Sequence, residues 1–171
     1  MYSDERDERR DFTPLKSGIV EQAVKATVFQ PPVFGSRLTE KLWRWWATAS
    51  GGGVPHWSAF DITRHVALAA NIYVVRALDD AFQFRLYGEQ AIQIIGHNAT
   101  GEVITPRSPG AISEHLHEYY NGVLATGQCW RCTGPLLYAG REHRRFESVD
   151  VPLIRYGTAP DTIIGVIDLL D

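Results

Sequence analysis

Residues 72–88 decide the fold, and they read Ile72-Tyr73-Val74-Val75-Arg76-Ala77-Leu78-Asp79-Asp80-Ala81-Phe82-Gln83-Phe84-Arg85-Leu86-Tyr87-Gly88. The first part, to Leu78, is apolar on both faces, as in a buried strand. After Asp79-Asp80, which suits a short turn, apolar and polar side chains alternate from Phe82 to Tyr87. The stretch therefore predicts a half-buried antiparallel hairpin that ends at Gly88.

The chain after this hairpin predicts two helices and three further strands. A short helix covers Ala91 to Ile95 and ends at Gly96. After a polar stretch rich in turn residues, Ser108-Pro109 begins a longer helix, because a cap residue followed by proline favours a helix start. That helix ends at Gly127. The runs with strand-like composition are Gln128–Tyr138, Glu142–Tyr156 and Thr162–Leu170.

The chain before the hairpin begins with charge and ends with an aromatic helix. Residues 1–16 are mostly charged, so we expect disorder there. Residues 17–35 predict a helix, capped by Ser17 and stopped by Pro31-Pro32, followed by a linker. The next helix runs from Ser36 to the glycines after Ser50. Its three tryptophans, at 43, 45 and 46, cannot all face one side of a helix, so at least one should lie near the surface or contact another chain. We expect them to cover the domain's own sheet, with a subunit interface as the alternative. Residues 36–171 form the predicted domain.

Composition argues against several classes of partner. A formal net charge of -3 gives no electrostatic reason to expect nucleic acid or an anionic membrane. The sequence lacks an apolar run of about 18 residues, which a membrane-spanning helix requires. The charged N-terminus does not resemble a secretory signal, so we expect a cytoplasmic protein.

The element order resembles that of a PAS domain, and particular residues resemble a bacterial PAS-like family. These are Leu42-Trp43 with Trp46, the segment from Phe82 to Gly88, Ile95-Gly96 with Thr100-Gly101, and Val151-Pro152-Leu153. The sequence departs from the family at His97-Asn98-Ala99, where Arg-Asp-Leu is frequent, and at Glu89, where threonine is usual. The resemblance spans about Leu38 to Leu170.

The resemblance implies an α+β fold with a five-stranded antiparallel sheet, in the order 2-1-5-4-3, and helices on one face. It also implies a space between sheet and helices in which PAS domains hold a ligand. The candidate lining residues are Tyr73, Phe84, Leu86, Ile92, Ile95, Asn98, Tyr119, Trp130 and Phe146, with Arg85 as a second polar contact beside Asn98. The sequence identifies neither a ligand nor a cofactor.

Motifs for chemistry have simpler explanations. Cys129 and Cys132 form a C-x-x-C, but on a strand residues three apart project to opposite faces, so we predict neither a redox pair nor a metal site. A haem would need a proximal histidine, and His97, His115 and His117 are the possible ones. No phosphate-binding motif or nucleophile elbow occurs.

These observations predict a non-catalytic sensory or protein-interaction domain in bacterial signal transduction. Its partners would be an unidentified signalling protein and a second copy, held through the helix predicted in residues 17–35. A small enzyme is the alternative, and it would need a His–carboxylate pair inside a cavity, either His143 with Glu147 or His97 with Glu102. A structural adaptor without a ligand is the third possibility, and a side-chain-filled interior would favour it.

Overall fold

The structure, a computed structural model, describes residues 20–23, 33–108, 111–136 and 143–170. Within these ranges the α-helices are α1 (Arg37–Ser50), α2 (Glu89–Ile95) and α3 (Ala111–Thr126). Three short 3-10 turns lie between α1 and the hairpin. The strands are β1 (Val20–Ala23), β2 (Ile72–Ala77), β3 (Phe82–Tyr87), β4 (Val103–Ile104), β5 (Trp130–Pro135), β6 (Arg145–Leu153) and β7 (Thr162–Leu169).

The strands form one antiparallel sheet in the order β1-β5-β6-β7-β2-β3-β4. The five central strands follow the order that the PAS resemblance implies. The predicted number of five is wrong for the described chain, because two short strands extend the sheet. Strand β1 pairs with β5 at one edge, and the two residues of β4 pair with β3 at the other.

The helix predicted from Ser17 is wrong at Val20–Ala23, where the chain is a strand. Val20 lies opposite Thr133, and Ala23 lies opposite Trp130. Pairing with β5 supplies backbone hydrogen bonds that outweigh a weak local preference for helix in this β-branched segment. The rest of that predicted helix, and the disorder expected for residues 1–16, lie outside the described residues.

Several further local predictions are confirmed. The hairpin of β2 and β3 closes with a hydrogen bond from the Leu78 amide to the Ala81 carbonyl, 2.8 Å long. Helix α2 ends at Gly96 with φ 95°, and α3 ends at Gly127 with φ 60°. Ser36 caps α1, since its Oγ accepts from the Leu38 amide at 3.0 Å. None of the described helices has the length and apolar content that crossing a membrane demands.

Helices cover both faces of the sheet, so the expectation of helices on one face is wrong. We call the face under α1 the outer face and the face under α2 and α3 the inner face. Leu42, Trp43 and Trp46 of α1 are buried against outer-face residues such as Val151, and the Trp46 indole N–H donates to the Pro152 carbonyl at 3.0 Å. The prediction that the tryptophans cover the sheet is therefore confirmed for two of the three, and Trp45 is partly buried against the same cluster.

Two covering layers are required because the central strands are apolar on both sides. In β6, Val149 and Val151 belong to the outer-face core, and in β7 Ile164 does so while Ile163 belongs to the inner-face core. A sheet with two apolar faces leaves one exposed unless each is packed against another element. Helix α1 therefore completes the fold rather than extending it.

A buried carboxylate fastens the start of α1 to the outer face. Glu147 is fully buried, and its Oε2 accepts from the Gly35 amide at 3.0 Å and from the Arg131 guanidinium at 2.6 and 2.7 Å. Its Oε1 accepts from the Ser36 amide at 3.1 Å and from the Thr39 hydroxyl. Because a buried charge is costly unless it is paired and hydrogen-bonded, this set of donors explains how Glu147 is tolerated there.

One glycine of β7 makes room for a tyrosine of β2. Gly165 lies opposite Tyr73 in the register, and the Tyr73 ring crosses directly over it. A Cβ atom built on Gly165 would lie 2.1 Å from Tyr73 Cζ, closer than any real contact. The absence of a side chain at this position therefore lets the Tyr73 phenol reach across β7 toward β6.

The Gly165→Ala substitution is expected to lower the free energy of unfolding by about 1–3 kcal/mol, the usual cost of overpacking a core. Chemical denaturation measures it. In a Tyr73→Ala background the cost of Gly165→Ala should largely disappear, since the clashing ring is gone. Gly53→Ala, whose new Cβ would meet only the Ser50 carbonyl at 3.8 Å, is the matched control. Equal costs of Gly165→Ala in the two backgrounds would contradict this packing.

Candidate functional site

A single row of residues crosses the inner face from β5 to β3. In cross-strand register, Trp130 lies opposite Asp150, Asp150 opposite Gly165, Gly165 opposite Tyr73, and Tyr73 opposite Tyr87. Residues that are paired in this way on one face have neighbouring side chains. The row therefore places an acidic group and three aromatic rings together under α3.

Asp150 is the centre of this row, and its carboxylate binds two phenols. The side chain is fully buried. The Tyr73 hydroxyl, from β2, donates to Oδ1, and the Tyr119 hydroxyl, from α3, donates to Oδ2; both distances are 2.7 Å. Hydrogen bonds to a carboxylate are stronger than bonds between neutral groups. One side chain of β6 thus connects a distant strand and the covering helix.

The same surroundings change the acidity of the tyrosines. Burial, and then the nearby Asp150, raise the pKa of both Tyr73 and Tyr119 well above the ordinary phenol value. Burial raises the pKa of Tyr120 in the same direction. All three phenols are therefore protonated at neutral pH, and those of Tyr73 and Tyr119 are hydrogen-bond donors.

Further aromatic rings complete the layer around this cluster. The Tyr119 ring meets Tyr120 at a centroid distance of 5.7 Å and Trp130 edge-on at 5.5 Å. Tyr120 in turn contacts Phe82 and Phe84. A side chain at Gly122 would collide with the Trp130 ring, since a Cβ there would lie 2.6 Å from it.

Six of the nine predicted ligand residues belong to this inner-face layer. Tyr73, Phe84 and Tyr119 are buried in it, and Ile95, Trp130 and Phe146 are partly buried against it. The rings of Tyr73, Phe84 and Tyr119 are buried, and each of them contacts a neighbouring aromatic ring.

The other three predicted residues lie elsewhere. Leu86 is 46% exposed because a β-bulge reverses the alternation of β3. Val74 and Val75 pair with Leu86 and Phe84, which leaves Arg85 as the extra residue. Tyr87 consequently takes the inward place.

Asn98 and Ile92 are the remaining two. The Asn98 side chain is exposed and accepts from the Thr100 amide at 3.0 Å, which makes it a turn residue. Ile92 is half-buried. Neither belongs to the inner-face cluster.

The sequence analysis did not identify Asp150 or Gly165. The sequence did contain a signal for Asp150. This charged residue lies two positions after Ser148 and four after Phe146, so the three side chains share one face of β6, whose middle is buried. Charged residues in the inward phase of a buried strand require a partner. Gly165 has no comparable local signal, because its role depends on a ring from another strand.

Neither His–carboxylate pair of the enzyme hypothesis lies in a cavity among the described residues. The pair of His97 and Glu102 exists, with Nε2 3.4 Å from a carboxylate oxygen, but both side chains are about half exposed. Glu147 is occupied by the donors at the start of α1.

His117 is buried and fixes structure, since its two ring nitrogens lie 3.2 Å from the Asp80 carbonyl oxygen and 3.1 Å from the Asn121 amide nitrogen.

The two cysteines occupy opposite faces, as predicted. Cys129 belongs to the outer-face core and Cys132 to the inner-face core, and no disulfide joins these two residues. Burial raises the pKa of the Cys129 thiol, which disfavours the reactive thiolate. Among the residues that the structure describes, no group of three or more His, Cys, Asp or Glu side chains is arranged to hold a metal ion.

A groove lies away from this layer, between the C-terminal ends of α1 and α3. Its volume is about 330 Å³, and its lining includes Trp43, Trp46, Gly53 and Gln128. None of the nine predicted ligand residues lines it.

Comparisons with known proteins give a structural likeness only. No protein-family model matches the chain, and no curated protein matches it. Among solved structures, the chain is similar to the PAS domain of BvgS from Bordetella pertussis, with 18% sequence identity and a TM-score of 0.47. The match covers 64% of this chain and 85% of that chain.

The raised pKa values of Tyr73, Tyr119 and Tyr120 predict a loss of stability in alkali. As the pH rises above about 10, the unfolded chain releases phenolic protons that the folded chain retains, so the free energy of unfolding falls. Phenolate absorbance should show at least three of the seven tyrosines ionising only as the protein unfolds. Tyr119→Phe should lower by one the number of tyrosines that ionise only on unfolding. Ionisation of all seven in the folded protein near pH 10 would contradict the burial of the cluster.

Proposed function

We propose that this chain is a non-catalytic, PAS-like sensory or interaction domain of bacterial signal transduction, which acts in the cytoplasm through contacts with another protein. The observation that carries the proposal is the shared carboxylate of Asp150, which joins β6 and β2 to α3. Asp150 lies between the sheet and α3, in the region where the resemblance implies that PAS domains hold a ligand.

The shared carboxylate suits a two-state response. A shift of α3 would remove the Tyr119 hydroxyl from Asp150 while the Tyr73 hydroxyl, on the sheet, stayed in place. A buried carboxylate that loses a donor is unfavourable, so the shifted state is disfavoured unless an input stabilises it. An input that favoured the shifted state would change the surface that a partner meets.

The described geometry favours this role over an enzyme. The His97–Glu102 pair faces solvent, and Glu147 is occupied by three hydrogen bonds from the start of α1 and by the guanidinium of Arg131 in β5. Neither pair therefore has the enclosed site that general acid–base catalysis of a bound substrate requires.

Binding of a small ligand and association with a second copy are finer parts of the same proposal. A ligand would enter beside the partly buried Ile95, Trp130 and Phe146 at the margin of the inner-face layer. A second copy would associate through the N-terminal segment, where β1 is the outermost described strand on its side of the sheet. An edge strand offers backbone donors and acceptors to another chain.

Native mass spectrometry of the freshly purified full chain, with its visible absorption spectrum, tests the proposal. We expect a dimer without visible absorption, and the mass of each subunit shows whether a small molecule has been retained. Removal of residues 1–34 should convert the dimer to a monomer in analytical ultracentrifugation.

Other results would change the proposal in distinct ways. A retained molecule of constant mass would favour the ligand-sensing form over a contact-only domain. A retained molecule whose mass changes during incubation would contradict a non-catalytic domain. A full-length monomer would contradict association with a second copy.

A further inference from the structure

Two arginines and two aromatic rings form a cluster at one end of the sheet, on the α1 side. We name Trp57, Arg76, Arg155 and Tyr156 the arginine–aromatic patch. The Arg155 guanidinium carbon lies 5.0 Å from the Trp57 ring centroid and 5.3 Å from that of Tyr156. The Arg76 guanidinium carbon lies 5.6 Å from the same Tyr156 centroid. Two cations therefore share one phenol ring, and that tyrosine is 57% exposed.

The backbone under the patch is firmly held. The carboxylate of Asp161 accepts from the Arg155 amide at 2.7 Å and from the Tyr156 amide at 2.8 Å. The Trp57 amide donates to the Ile154 carbonyl at 2.7 Å. A surface whose backbone is already ordered loses less conformational entropy when a partner binds.

Neither Arg76 nor Arg155 forms a salt bridge within the described part of the chain, although the Asp161 carboxylate binds the backbone beneath the patch. Arg44 and Arg131 each form a salt bridge with a glutamate, whereas neither Arg76 nor Arg155 has a carboxylate within salt-bridge distance among the described residues. Stacking on a ring occupies the face of a guanidinium and leaves its N–H edge available. That edge matches a carboxylate with two parallel hydrogen bonds.

We propose that the arginine–aromatic patch binds an acidic segment of a partner protein in an extended conformation. Both guanidinium carbons lie within 5.6 Å of one ring centroid. Alternate residues of an extended chain project to one side about 7 Å apart, so one segment with acidic side chains at alternate positions can reach both arginines. Tyrosine, tryptophan and arginine are also the residues that contribute most to protein interfaces, and in the patch Tyr156 is exposed while the other three residues are half-buried. Nucleic acid fits less well, because the net charge is -3 and the patch has only two cations.

This interface is independent of the Asp150 cluster, which lies on the inner face. Failure of one proposal therefore leaves the other intact.

The probe for the patch is a fluorescently labelled peptide with glutamates at three alternate positions separated by threonines. Its control replaces every glutamate with glutamine. Fluorescence anisotropy with the full-length chain, at low and at physiological salt, measures the dissociation constant.

We expect the glutamate peptide to bind at least tenfold more tightly than the glutamine peptide. Its affinity should fall as salt is added. The double variant Arg76→Ala/Arg155→Ala should weaken binding at least tenfold, and Arg155→Lys should weaken it as well, because lysine lacks the planar fork. Arg107→Ala, which removes an exposed arginine outside the patch, is the matched control and should leave binding unchanged. Thermal unfolding verifies that each variant is folded.

Three results would overturn the proposal. These are undetectable binding of the glutamate peptide at millimolar concentration, equal binding of the glutamine peptide, and equal binding by the double variant. Tighter binding of a short double-stranded DNA than of the peptide, lost in the same double variant, would also overturn it by assigning the patch to nucleic acid.

Discussion

The carboxylate of Asp150 lies out of contact with solvent, and two phenol hydroxyls satisfy it from different parts of the fold. Tyr73 reaches it across Gly165, and Tyr119 reaches it from α3. Each requirement constrains a neighbour. A glycine is needed in β7, the register of β2 against β7 must be kept, and α3 must present Tyr119 to the sheet. The arrangement of the inner face follows from how this one charge is accommodated.

Strand β6 carries a second buried carboxylate, directed to the opposite face. Glu147 binds the start of α1 on the outer face, while Asp150 binds α3 on the inner face. The two acids are three residues apart on one strand, so they project to opposite sides. A change at one face that moved β6 would also move the carboxylate on the other face. The strand therefore connects the two covering layers physically.

Local patterns predicted much of this fold. The hairpin, the caps of α1 and the glycine ends of α2 and α3 depend on neighbours in the chain, so the sequence contains their signals. The face that α1 covers was not predictable from its periodicity, which indicates an apolar stripe but not its partner. The strand at Val20–Ala23 was missed because its pairing with β5 is a long-range contact.

The candidate site was predicted less completely for the same reason. Tyr73 and Tyr119 were candidates to line the space between sheet and helices that the PAS resemblance implies. The partner that joins them is 77 residues from one and 31 from the other, and no local pattern connects such distant positions. Leu86 was misplaced because a bulge is a property of two paired strands rather than of one sequence segment.

The most direct test of the Asp150 cluster is a double-mutant cycle of Tyr119→Phe with Asp150→Asn, measured as the free energy of unfolding. If the phenol stabilises the fold through the carboxylate, the two changes are coupled by about 1 kcal/mol or more. Tyr120→Phe, a change at a neighbouring buried phenol, should combine with Asp150→Asn additively. An equal cost of Tyr119→Phe with and without the Asp150 carboxylate would contradict the account.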